Sequence, residues 1–126
     1  MSEHGVFSDI ADVNPRSPTP SLGRPASFIG MADVSEQGEL DSVTVRDAVA
    51  GYTPFIDGDV LVAKITPCME NGKGAHVRHL PVRQGQGSTE FHVLRARPET
   101  SDRYLYHLTR TADFRHRAEG LMTGSA

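Results

Sequence analysis

Six consecutive residues, Val60-Leu61-Val62-Ala63-Lys64-Ile65, are apolar at every position but one. A run of this length, rich in β-branched residues and lacking polar-apolar alternation, is a strand buried on both faces, with Lys64 emerging near its end. Turn chemistry closes it on both sides. Asp57-Gly58 ahead of it supplies residue types that tolerate positive φ in a tight turn. Pro67, Gly72 and Gly74 behind it end any regular structure.

The other elements arrange themselves around this strand. Residues 7–13 predict a short amphipathic turn or helix, and Asn14-Pro15-Arg16-Ser17-Pro18-Thr19-Pro20 a loop. Residues 26–31, with Phe28 and Ile29, predict a strand closed by turn signals at 33–38, and residues 42–46 a weaker one. Residues 76–80 and 88–96 complete a sheet of about five strands. The period then changes. Ser101 is placed to cap a helix carrying Tyr104, Leu105, Leu108 and Ala112, while Phe114, Ala118 and Leu121 form a second stripe. At about 100° per residue, a continuous helix would turn the second stripe roughly 130° from the first. Two short helices with a break at 109–112 are therefore predicted, Thr111 capping the second. The expected fold is α+β: a twisted, mostly antiparallel sheet with short C-terminal helices, in one domain covering residues 1–126.

Composition narrows the function. Hydrophobic residues make up 37% of the chain, and eight prolines with twelve glycines predict a loop-rich molecule. No stretch approaches the roughly 20 apolar residues of a membrane helix, and the first ten residues lack the pattern of a signal peptide, so a cytoplasmic location is expected. The lone Cys68 excludes an internal disulfide and reads as a small buried hydrophobe. The net charge is −3, but it is divided: residues 1–63 hold three arginines against ten acidic residues (−7), residues 64–126 ten lysines and arginines against six (+4). Five of the six histidines also lie in the second half. This polarity predicts one face that attracts phosphate.

The glycine motifs fail as nucleotide loops. In Asn71-Gly72-Lys73-Gly74, Pro67 stands where a P-loop needs its first glycine and Gly74 where it needs Ser or Thr. Gly85-Gln86-Gly87 has Glu90 in place of the third glycine of a dinucleotide fingerprint, and a strand follows it. The first loop keeps two readings, a plain surface turn or a flexible loop whose backbone N–H groups and Lys73 approach an anion. His76 and His79 would point to opposite faces of a strand, and no cysteine or carboxylate cluster accompanies them, so neither metal nor cofactor is expected. An enzyme, such as a magnesium-dependent nuclease, would have to use Glu70 and Glu90 with Lys73.

A DNA-binding reading uses more of the residues. Lys64, Lys73, Arg78 and Arg83 are placed to neutralise phosphates, and Ser88, Thr89, Glu90 and His92 add hydrogen-bonding groups. Arg103, Arg110 and Arg117, seven apart, form either a second basic track or a solvated helix face.

Five blocks in order carry a family resemblance. They are Phe28-Ile29-Gly30-Met31-Ala32-Asp33-Val34-Ser35; the stretch from Gly58-Asp59-Val60 through Ile65-Thr66-Pro67-Cys68-Met69-Glu70-Asn71-Gly72-Lys73-Gly74-Ala75; residues 87–94; Tyr104-Leu105-Tyr106 with Phe114-Arg115; and Met122-Thr123-Gly124-Ser125-Ala126. Together they resemble the target recognition domain of type I restriction-modification specificity subunits. The resemblance implies a non-catalytic module that recognises double-stranded DNA and directs methyltransferase and endonuclease subunits. It implies that residues 66–74 and 88–92, among them Thr66, Asn71, Lys73, Ser88, Thr89 and His92, mostly shape the scaffold and hold the DNA backbone, while Lys64, Arg78 and Arg83 join the DNA-binding set from their charge and placement. Base choice then falls on less typical loops, at 37–52 and 77–86. The family pattern normally continues beyond this point into a long spacer helix. A fragment, a truncated gene, or a half-subunit that pairs with a second half or a copy of itself is therefore expected, with a closing strand missing from the sheet.

Overall fold

A computed structural model describes residues 3–64 and 67–123. Helix α1 (Glu3–Ile10) runs directly into strand β1 (Ala11–Val13). Strands β2 (Pro25–Ile29), β3 (Thr44–Asp47), β4 (Thr53–Ile56), β5 (Val60–Ala63), β6 (Gly74–His76), β7 (Gln84–Gly87) and β8 (Phe91–Ala96) follow, and helices α2 (Asp102–Thr109) and α3 (Ala112–Thr123) end the chain. The strands form two four-stranded sheets, β1-β8-β5-β6 and β3-β2-β7-β4. Every pairing is antiparallel except that of β2 with β7.

The first sheet is the middle layer, and β5 shows why. Side chains alternate across a strand. Val60 and Val62 join Leu105, Phe114, Ala118 and Met122 of the two C-terminal helices in one cluster. Leu61 joins Ile29 and Phe55 of the second sheet, with Phe91 and Val93 of β8, in another. All four residues of β5 are buried and Lys64 is exposed, as the unbroken apolar run predicts. Burying each such side chain contributes roughly 1.5–3 kcal/mol, so the two-sided strand anchors both layers.

The α+β class and mostly antiparallel pairing match expectation, but two sheets of four stand in place of one sheet of about five. Strands β4 and β7 were not legible as strands. The segment at 7–13 divides, α1 giving way to β1 because Ala11, Asp12 and Val13 pair with Ala96, Arg95 and Leu94. The strand expected at 76–80 runs instead from Gly74 to His76, since only glycine fits where Gly74 meets Leu61: a Cβ there would collide with the Leu61 carbonyl oxygen. His79 lies beyond it at φ 58, so the two histidines do not share a strand. Residues 88–90 form the approach to β8 and are not part of it.

The helical break is where the two stripes place it. Ser101 Oγ accepts the backbone N–H groups of Arg103 (3.1 Å) and Tyr104 (3.3 Å). Thr111 Oγ1 accepts that of Phe114 (3.1 Å), capping α3. The buried positions of α2 are Leu105 and Thr109, whereas Tyr104 is 56% exposed and Ala112 faces solvent. Thr109 tolerates burial because its hydroxyl donates to the Tyr106 carbonyl at 2.6 Å. Cys68 is half-buried and free, less enclosed than expected. Among the described residues no helix is long and apolar enough to cross a membrane.

Candidate nucleic-acid interface

Strand pairing gathers part of the expected site at one end of the first sheet. Ala63, the last residue of β5, pairs with Phe91, the first of β8, and its N–H donates to the Lys73 carbonyl (3.0 Å). The Lys64 N–H donates to the Glu90 carbonyl (2.7 Å). Lys64, Lys73, Ser88 and Thr89 therefore share this end, and the exposed Asn71 belongs to the loop that feeds it. Thr66 lies outside the described residues. Lys64 also lines a hollow of about 300 Å³ at the junction of the two sheets, with Asn14, Pro15, Thr53, Pro54, Phe91 and Val93.

His92 completes the group from the helix-facing side of β8, opposite Val62. Its partner was not anticipated: Asn14, held at φ 50, donates its backbone N–H to the Val93 carbonyl (2.6 Å) and turns its side chain onto the strand. Asn14 Oδ1 accepts the Val93 N–H (2.8 Å), so Nδ2 donates to His92 Nδ1 (3.1 Å), which must be unprotonated. Burial, and secondarily the charge of Lys64, lower the His92 pKa below its ordinary 6.5. Below pH 6.5 the unfolded chain thus binds a proton that the folded chain resists, so stability rises with pH toward 6.5 and levels off above it. Urea midpoints at pH 5.5 and 7.5 are expected to differ less in His92→Gln than in the wild type; an unchanged difference would mean that His92 does not contribute.

Arg78 and Arg83 are elsewhere. The N–H of Val77 donates to the Asp59 carbonyl and that of Asp57 to the Arg83 carbonyl, so both arginines flank the start of β5. A four-residue strand, about 13 Å, separates them from Lys64. Other cations of the second half are paired with carboxylates of the chain, one partly buried and two at the surface. Arg95 makes a two-pronged contact with Asp59, 2.8 Å from each carboxylate oxygen. Arg97 pairs with Asp12 (3.1 Å), and Arg117 with Asp113 (2.8 Å). The single cationic face predicted from the charge division is therefore corrected to a smaller cluster at one end of the sheet. A basic track through Arg103, Arg110 and Arg117 is likewise ruled out, because Arg110 turns inward.

That inward turn decides the glycine loop. Arg110 Nη1 donates to the Gly72 carbonyl (2.5 Å) and Nη2 to that of Glu36 (2.8 Å). The N–H groups of Asn71, Gly72 and Lys73 donate to Pro67, Met69 and Cys68, and that of Gly74 to Ser35. None of the four remains for an anion. The loop is a braced turn, with Gly72 at φ 81, and only the half-buried Lys73 side chain remains to meet a phosphate. Glu70 borders a cleft of about 530 Å³ with Ala112, Arg115 and His116, whereas Glu90 neighbours Lys64. Among the described residues no three His, Cys, Asp or Glu side chains converge as metal ligands would.

The second sheet presents its own surface. Gln86, fully buried, receives the Val49 N–H on Oε1 and donates Nε2 to the Val49 carbonyl, both at 2.9 Å. This fixes residues 48–52 over the sheet, so parts of the two loops assigned to base choice, 37–52 and 77–86, are joined. Neither Asn14 nor the Asp59–Arg95 pair was identified from sequence, and Arg110 was read only as a surface cation. Asn14-Pro15 was the one available signal, since Asn tolerates a left-handed backbone.

No protein-family model matches the chain. Over 98% of its length it is 37% identical to the type I restriction enzyme EcoAI specificity subunit of Escherichia coli, and over 96% it is 36% identical to the EcoEI specificity subunit of the same organism. The chain is homologous to a segment of type I specificity subunits. It spans about a fifth of these relatives, 22% and 21% of their lengths. The fold agrees with solved structures: the HsdS subunit of Thermoanaerobacter tengcongensis superposes with a TM-score of 0.64 at 23% identity, over 86% of this chain and 28% of that one. A chain from a type I R-M system assembly also gives 0.64, at 19% identity, over 86% and 31%.

Proposed function

We propose that this specificity-subunit segment is a target recognition domain that binds double-stranded DNA by sequence and performs no chemistry. The observation that carries the reading is the match along nearly the entire chain to two specificity subunits. The gathering of Lys64, Lys73, Ser88 and Thr89 at one end of the first sheet supports it locally. In this reading Lys64 and Lys73 neutralise phosphates and Ser88 and Thr89 hydrogen-bond to the backbone. Asn71 extends the same edge, Thr66 is assigned a backbone contact by the resemblance alone, and His92 holds the strand through Asn14. Arg78 and Arg83 reach the duplex only where it passes the other end of β5. Base choice belongs to residues 37–52 and 77–86. The protein works in the cytoplasm with methyltransferase and endonuclease subunits, and a second recognition half, or a second copy, supplies the other half-site.

A phosphate contact carries no sequence information. Lys64→Ala and Lys73→Ala are therefore expected to weaken binding to every duplex by a similar factor. Each should also make the slope of log K against log salt shallower by about 0.9. Fluorescence anisotropy with several unrelated duplexes measures both. A loss confined to one sequence would contradict the backbone role.

A further inference from the structure

On the outer face of the second sheet, a rigid guanidinium stands with its hydrogen-bond donors unused. Arg46, on the edge strand β3, places Cζ 3.5 Å from the centre of the Phe28 ring and 5.4 Å from that of Tyr52. The two rings meet edge to face at 4.9 Å. Arg46 is exposed, and among the described residues no hydrogen bond or ion pair engages it. Stacking on an aromatic ring fixes the plane of a guanidinium without consuming its N–H groups. The support is itself fixed, because Tyr52 ends the segment that Gln86 pins at Val49.

The platform adjoins the candidate interface. Tyr52 immediately precedes Thr53 and Pro54, which line the same hollow as Lys64. Phe28 lies in register with Gln86, one residue before Ile29, whose carbonyl accepts the Ser88 N–H. A planar, immobilised fork with free donors suits a paired acceptor, and the major-groove edge of guanine offers one in O6 and N7.

We propose that Arg46, held by Phe28 and Tyr52, is a specificity-determining residue that donates in two-pronged fashion to the major-groove edge of a guanine in the target. The proposal rests on the DNA-recognition reading above and assigns one base contact within it. The test is selection of a random-sequence duplex pool by the 126-residue chain, followed by sequencing, for the wild type, Arg46→Ala and Arg46→Lys. The wild type is expected to enrich a motif containing a guanine at which both variants lose about tenfold or more of the preference, other positions being kept. Lysine keeps the charge but not the fork, so failure of Arg46→Lys to restore the preference separates base reading from simple attraction. Thermal melting should fall by only a few degrees, since the exposed side chain gives up no more than its stacking on Phe28 and Tyr52. Variants that keep the wild-type motif, or that lose affinity for all duplexes alike, would overturn the assignment while leaving the DNA-recognition reading intact. A wild-type chain that binds no duplex would overturn both.

Discussion

Replacing Arg95 with alanine is expected to destabilise the fold by about 3 kcal/mol, the low end of the range for removing one partner of a buried ion pair, because Asp59 is buried but the guanidinium only partly so. Asp59 is only 2% exposed, and its carboxylate accepts Arg95 Nε and Nη2 as well as the Ile56 N–H (2.9 Å). The hydrogen bond to Asp59, opposed in part by desolvation, raises the Arg95 pKa above its ordinary value. Without the guanidinium, Asp59 would be left charged in a dry site at the turn that launches β5, and Ser17 would lose the Nη2 contact (2.8 Å) that ties down the proline-rich loop. Urea denaturation measures the loss. A change below about 1 kcal/mol would show that water reaches Asp59 and that the pair behaves as a surface bridge.

Gly87→Ala is expected to destabilise by about 3 kcal/mol, at the upper end of overpacking costs. A Cβ at Gly87 would collide with the Ile29 carbonyl oxygen and stand 3.2 Å from Phe55 Cε2. The first of these is backbone within the β2–β7 pair and cannot swing aside. Gly120 provides the opposite case. It lies inside α3 with nothing within 4 Å of an added Cβ, so Gly120→Ala is expected to stabilise by about 0.5–1 kcal/mol through helix propensity. Denaturation midpoints of the two variants should therefore move in opposite directions. A Gly87→Ala midpoint equal to the wild type would mean that the β2–β7 pair yields easily and that the close strand approach is not a packing constraint.

These two cases also mark where the sequence was legible. Val60 to Ala63 announced a doubly buried strand because an apolar run that short, without alternation and bounded by turn residues, needs cover on both faces. The two caps at Ser101 and Thr111 were legible because capping is local chemistry between neighbouring residues. By contrast, Gln84 to Gly87 has no strand propensity at all. It is a strand because glycines at 85 and 87 make room for Phe55, a partner some thirty residues earlier, and no local pattern records such a need. The charge division misled for a related reason. It counted Arg95, Arg97, Arg110 and Arg117 as available, whereas their partners Asp59, Asp12, the Gly72 and Glu36 carbonyls, and Asp113 appear only on folding. The joint placement of Lys64, Lys73, Ser88 and Thr89 was predictable as an edge, because all four sit where strands begin or end. Arg78 and Arg83 were grouped with them by proximity in sequence, which strand reversal at β6 undoes.

In the proposed function, duplex DNA is recognised through a small cationic edge and a neighbouring reading surface. The most direct test is an anisotropy titration of the 126-residue chain against a selected duplex and a scrambled one across a range of salt. The account predicts saturable binding to both at low salt, a log-log slope of about −2 to −3 from two or three phosphate contacts, and tighter binding to the selected duplex at every salt concentration. Titrations that stay flat for both duplexes at the lowest salt would contradict it.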